Sequence, residues 1–175
     1  EGDCGGSAMA ELLPGPSEAA RGQRRWQRSW FPYQDYINLH QSHIDDLVQR
    51  GIVLRDSIEF IERHDNKDEL RSVVVRGRIV CINGVAIAAR KILDVRRGRS
   101  NRYEVLGFDY SYHAFVRGKP RRDLFRCDNA HGDLSTLHRH VYDANGVEVE
   151  QVPVSIDELP RLDLIIEAAV NLVRQ

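Results

Sequence analysis

The dipeptide Asn83-Gly84 lies between two runs rich in β-branched residues, Val73 to Ile82 and Val85 to Val95. A type I′ turn needs positive φ at both central residues, which Asn and Gly tolerate, so this arrangement predicts a long antiparallel hairpin. Other strand signals surround it. Ile58 and Phe60 alternate with Glu59 and Glu62 ahead of a turn at Asp65-Asn66-Lys67-Asp68. Asn101 to Val116 reads as a strand, and Gly118-Lys119-Pro120 turns the chain back into Asp123 to Cys127. His138 to Tyr142 and Val147 to Val152, separated by Asp143-Ala144-Asn145-Gly146, extend the pattern.

Helical spacing brackets this β-rich body. Tyr36, Ile37, Leu39, Ile44, Leu47 and Val48 recur at helical intervals up to Gln49, and Gly51 supplies a stop. His40 and His43 on this helix read as exposed surface residues. Near the other end, Ser155 and Glu158 form a capping-box pattern, Pro160 falls in the early turns, and Leu162, Ile165, Ile166, Ala169, Val170 and Val173 make an apolar stripe. The expected fold class is α+β: an antiparallel β-sheet of about five to seven strands flanked by an N-terminal and a C-terminal helix.

A chain of 175 residues suits one domain with a tail. Residues 1–8 read as a tag remnant, 9–32 as a basic-aromatic arm containing Trp26 and Trp30, and 33–175 as a single domain. No apolar run approaches the roughly 20 residues that cross a bilayer, so no membrane partner is expected. Cys4, Cys81 and Cys127 are widely spaced and odd in number, which suits a reducing cytoplasm and buried thiols rather than disulfides.

The formal charge of −1 conceals a strong asymmetry. From Arg90 to Arg126 there are eleven Arg or Lys against four Asp or Glu, whereas after Tyr142 two Arg face seven acids. The basic run is compatible with a polyanion, and the acidic end with a solvated face, an internal counterweight or a basic partner.

Within that run begins the densest group of reactive side chains: Tyr110, Tyr112, His113, Arg126, Asp128, Asn129, His131, His138 and His140. An imidazole titrates near neutrality and can give or take a proton. Strand parity puts Asp109, Ser111 and His113 on one face and Tyr110, Tyr112 and Ala114 on the other. A turn of two or four residues places Arg126 and Asp128 with His113, and a turn of three or five places them with the tyrosines.

Metal-independent RNA cleavage needs a base, an acid and a cation for the phosphorane charge. His113 can supply the first or second, His138 or His140 the complementary proton carrier, Arg126 a phosphate clamp and Asp128 an orienting partner; Tyr112 takes the place of His113 in the other register. Arg90, Arg97, Arg117 and Arg122, with Asn129 and His131, are candidate substrate contacts. The rival is a metal on Asp128, His131, His138 and His140, but their spacing matches no established zinc pattern, so the expectation is a site without metal or cofactor. A second alternative is a non-catalytic nucleic-acid-binding or regulatory module using the basic strands, with salt-sensitive binding and no product.

The series Tyr110-Ser-Tyr112-His113, then Arg126-Cys-Asp128-Asn129-Ala130-His131, then His138-Arg-His140-Val141 resembles the TumE family of toxins from bacterial and archaeal toxin–antitoxin systems. The resemblance spans approximately Tyr103 to Val173. It departs from that pattern where Ala130 runs directly into His131 without an intervening proline. It implies a toxin acting on RNA and neutralised by a helix-turn-helix antitoxin, and it leaves a homodimer open.

Overall fold

The computed structural model describes residues 30–98, 101–129, 137–154 and 161–174. In chain order these form β1 (Phe31–Pro32), α1 (Tyr33–Gln49), β2 (Val53–Asp56), β3 (Glu59–His64), β4 (Leu70–Cys81), β5 (Val85–Arg97), β6 (Tyr103–Val116), β7 (Arg122–Asp128), β8 (His138–Tyr142), β9 (Glu148–Pro153) and α2 (Leu162–Arg174). The capping box at Ser155 and Glu158, with Pro160, falls outside the described residues.

All nine strands belong to one antiparallel sheet in the order β2-β4-β5-β6-β7-β8-β9, with β3 also on β4 and β1 also on β6. This corrects the expected fold class. Among the described residues the protein is mainly β, with nine strands instead of five to seven. The two extra strands carry little pattern. β2 buries only Val53 and exposes Leu54 and Arg55, so alternation is absent. β1 is two residues long, contains a proline and lies in what reads as the arm, yet Phe31 pairs with Val105 and Pro32 with Glu104.

The central hairpin forms, with Asn83 at φ 56° and Gly84 at φ 73°. Its connection is nevertheless three residues, Ile82–Gly84, because Val80 pairs with Ala86 and Ile79 with Ile87. Two residues would have set Ile79 opposite Ala88 and split the apolar set between faces. With three, buried Ile79, Cys81, Val85, Ile87 and Ala89 all face the core, so burial decides the register.

Both helices cover that same sheet face. Ile44 and Leu47 of α1 and Ile165, Ile166, Ala169 and Val170 of α2 share one buried cluster with Ile79, Ile87, Ala114, Phe125 and Cys127. Arg50 Nη1 joins the helices through Glu167 Oε1 at 2.6 Å. At the end of α1, Gly51 at φ 67° donates to Val48 O and Ile52 donates to Leu47 O, a Schellman ending that satisfies two terminal carbonyls. In α2, Asp163 in the first turn and Arg174 in the last complement the helix dipole. Cys81 and Cys127 are buried, and burial pushes their thiols up to about 11 and about 12 respectively, so neither is a ready nucleophile.

Candidate acid–base site on the open sheet face

Pairing between β6 and β7 selects one of the two registers. His113 stands opposite Arg126, Ser111 opposite Asp128 and Tyr112 opposite Cys127. The turn between β6 and β7 leaves five residues unpaired, which by itself would have sent Arg126 to the tyrosine face. A bulge at Leu124, between the Ala114–Phe125 and Phe115–Asp123 pairs, restores the other parity.

Across β7 and β8, Arg126 stands opposite His140 and Asp128 opposite His138. His113, Arg126 and His140 thus form one row over three adjacent strands, and Asp128 with His138 forms the next, all on the face away from the helices. The expected residues His113, Arg126, Asp128, His138 and His140 come together. Tyr112 does not. It lies on the helix-covered face, buried beside Ala114 and Cys127 in the core, and burial raises its phenol pKa.

Asp128 is the hub of the cluster. Its carboxylate is almost wholly buried, Arg126 Nε contacts Oδ2, His138 Nε2 lies 3.6 Å from Oδ1, and His140 Nε2 lies 3.5 Å from Oδ2. His140 Nδ1 is 2.9 Å from Glu148 Oε1, with the Gln151 amide at 3.3 Å. Glu148 is held below the usual carboxylate range by its hydrogen bond to His140 and then by Gln151. The His138 and His140 rings lie 4.7 Å apart between centres.

His113 stacks on Tyr142 at 6.3 Å and has Nε2 3.1 Å from Asp123 Oδ1. Burial holds the His113 imidazole below its usual pKa; Arg121 and Arg126 push in the same direction, and Asp123 works against them. The ring is consequently neutral at pH 7 and suited to accept a proton.

Asp123, Tyr142 and Glu148 belong to the cluster although sequence reasoning did not single them out. The signal for Glu148 was the Asn145-Gly146 turn, which sets Tyr142 opposite Glu148 in the β8–β9 hairpin. Asp123 reaches the His113 face through the five-residue turn, opposite Phe115, and shares that face with Arg126 only because of the Leu124 bulge, which nothing in the spacing announces.

The other expected substrate contacts are dispersed. Asn129 is buried and serves the sheet: its Oδ1 accepts from Tyr110 N–H at 2.8 Å. Arg90 pairs with Asp109 at 2.8 Å, and Arg97 reaches Glu69 at 3.7 Å and Asn101 at 2.9 Å. Arg117 is exposed next to the β6–β7 turn, Arg122 is half-buried in β7, and His131 lies outside the described residues. Much of the basic run is paired within the chain, since Arg96 also holds Glu104 at 2.9 Å and Arg121 holds Asp123 at 2.9 Å. Trp30 packs against the Arg96 guanidinium at 4.3 Å.

Two chemistries fit the hub. One ligand atom each from Asp128, His138 and His140 lie within 4.8 Å of one another, close enough to share a cation. Against this, Arg126 already neutralises the Asp128 carboxylate, and a metal there would face a guanidinium at contact distance. The alternative is proton transfer flanking a phosphate. Set against protein-family models, curated proteins and solved structures, the chain matches none. Among the described residues no helix is long and apolar enough to cross a membrane.

Proposed function

We propose that this protein is an RNA-directed toxin of a toxin–antitoxin pair, cleaving phosphodiester bonds by metal-independent general acid–base catalysis on the open sheet face. The observation that carries the reading is the row His113–Arg126–His140. Neighbouring strands are about 4.8 Å apart, so the two imidazoles stand roughly 10 Å apart at the backbone with the guanidinium between them. Displacement at phosphorus puts the attacking and leaving oxygens roughly in line on opposite sides, which a base and an acid flanking a phosphate clamp would serve.

In this reading neutral His113 takes the 2′-hydroxyl proton, and His140, oriented through Nδ1 by Glu148, turns its Nε2–H from the long 3.5 Å approach to Asp128 to the leaving 5′-oxygen and gives it that proton. Arg126 is tethered to Asp128 through Nε, and its terminal nitrogens take the phosphate. Asp128 fixes Arg126, His138 and His140 together. The resemblance to TumE toxins in these same segments supports the RNA substrate and a helix-turn-helix antitoxin as partner.

The purified protein incubated with a mixed RNA pool in EDTA tests the proposal. Cleavage products in the presence of the chelator are expected. Intact RNA, or cleavage that appears only after zinc is added, contradicts it.

A further inference from the structure

On the helix-covered face, a cavity of about 100 Å³ lies between α1, the start of α2 and strands β5 and β6. Leu39, Ile44, Val75, Ala89 and Val105 give it largely apolar walls. Lys91 enters from β5, opposite Tyr110 in the ladder. Its ammonium lies 4.6 Å from the Tyr110 ring centre and 5.0 Å from that of Tyr36. Gly107 makes this approach possible, because a Cβ there would fall 2.5 Å from both Lys91 Cε and Tyr110 Oη.

Among the described residues no carboxylate pairs with Lys91. The one acid in the described lining, Asp163, is held by Arg161 at 2.6 Å. Burial disfavours the ammonium, and the two ring faces and the hydroxyls of Tyr36 and Tyr110, which accept from it, offset that cost, so the cation is held in place without a counter-carboxylate. His40 also lines the cavity, and its Nε2 is buried without a hydrogen-bond partner. Burial is the main reason that its pKa is lowered, and Lys91 adds to the effect, leaving a neutral ring with an unused polar atom close to the cation. His40 and His43 are thus part-buried wall residues, not the exposed ones the spacing suggested.

We propose that this cavity binds a short-chain monocarboxylate, with the carboxylate on the Lys91 ammonium and His40 Nε2 and the alkyl chain against the apolar wall. Size sets the length. A water takes about 30 Å³ of liquid volume, so the space holds roughly three waters or a carboxylate of about four carbons. The guanidinium groups of Arg90 and Arg161 in the lining are engaged by Asp109 and Asp163, and the single Lys91 ammonium suits one negative charge better than a phosphate dianion. The site is on the opposite sheet face from His113 and does not depend on the RNA reading.

Calorimetric titration of the full chain with butanoate, butan-1-ol and inorganic phosphate at constant ionic strength tests the assignment. Butanoate is expected to bind at least about tenfold more tightly than either competitor, and Lys91→Met to weaken it by at least about tenfold. The Lys91 ¹⁵Nζ resonance of the unmodified protein reads the same contact without a variant and is expected to move with butanoate and not with butan-1-ol. Absent butanoate binding, an unmoved Lys91 resonance, or unchanged affinity in a folded Lys91→Met variant would overturn the proposal. Equal binding of phosphate would replace it with a general anion site, and equal binding of butan-1-ol with a merely apolar cavity.

Discussion

Asn129 and Tyr110 clasp each other at the end of the β6–β7 ladder. The Tyr110 N–H donates to Asn129 Oδ1 at 2.8 Å, and the Asn129 N–H donates to Tyr110 O at 3.2 Å. The pairing continues the ladder one step beyond Asp128, so the amide helps fix the strand that carries the hub of the cluster. Asn129→Ala leaves a buried N–H without its acceptor, and urea unfolding is expected to show a loss of about 1–3 kcal/mol. A loss below about 0.5 kcal/mol would show that the clasp is incidental.

Gly77 marks the point where β2 and β3 divide one edge of β4. A Cβ at this position would lie 2.2 Å from Ser57 O. The backbone there is tied in place, since Ser57 N–H and Ser57 Oγ–H both donate to Arg78 O. Gly77→Ala therefore forces the junction apart and is expected to cost about 1–3 kcal/mol or more in thermal or urea unfolding. Wild-type stability in this variant would contradict the junction geometry.

Burial lowers the pKa of both His40 and His113 below the usual 6.5. From that value down to the folded pKa the unfolded chain binds more protons, so stability rises with pH through this window and is lost as pH falls below about 6.5. His64, exposed and raised mainly by its hydrogen bond to Asp68 O, acts weakly in the opposite direction. Urea midpoints at about pH 7.5 and 5.5 are expected to be higher at the upper value. A midpoint that increases on acidification would contradict the burial of these rings.

Tyr112 and His113 are neighbours in sequence and face opposite sides of the sheet, which separates their roles. Tyr112→Phe is expected to leave RNA cleavage within about twofold of wild type, whereas His113→Ala is expected to reduce it by about 10²–10⁴-fold, the usual worth of a proton-transfer group. Single-turnover cleavage rates of the two variants distinguish the faces. Equal losses would contradict the register.

Much of the β body and both helices could be read from periodicity, because Val73 to Val95 and Leu162 to Val173 repeat their apolar residues at the spacing of the elements they form. The two missed strands lack that repetition: β2 buries one residue, and β1 is held by main-chain pairing of Phe31 and Pro32. The site was partly legible for a related reason. Alternation placed His113 away from Tyr112 in any register, but the side taken by Arg126 depended on the unannounced bulge at Leu124. Asn129 looked like a substrate contact because an amide's partner is invisible in sequence. Here that partner is the Tyr110 backbone.

The pH dependence of RNA cleavage in EDTA by wild type, His113→Ala and His140→Ala tests the flanking-histidine arrangement most directly. The account predicts a wild-type rate that falls below about pH 6.5, loss of that acidic limb in His113→Ala, and a rate reduced by about 10²–10⁴-fold in His140→Ala. An acidic limb that persists in His113→Ala, a wild-type rate in His140→Ala, or RNA left intact by the wild type would contradict it.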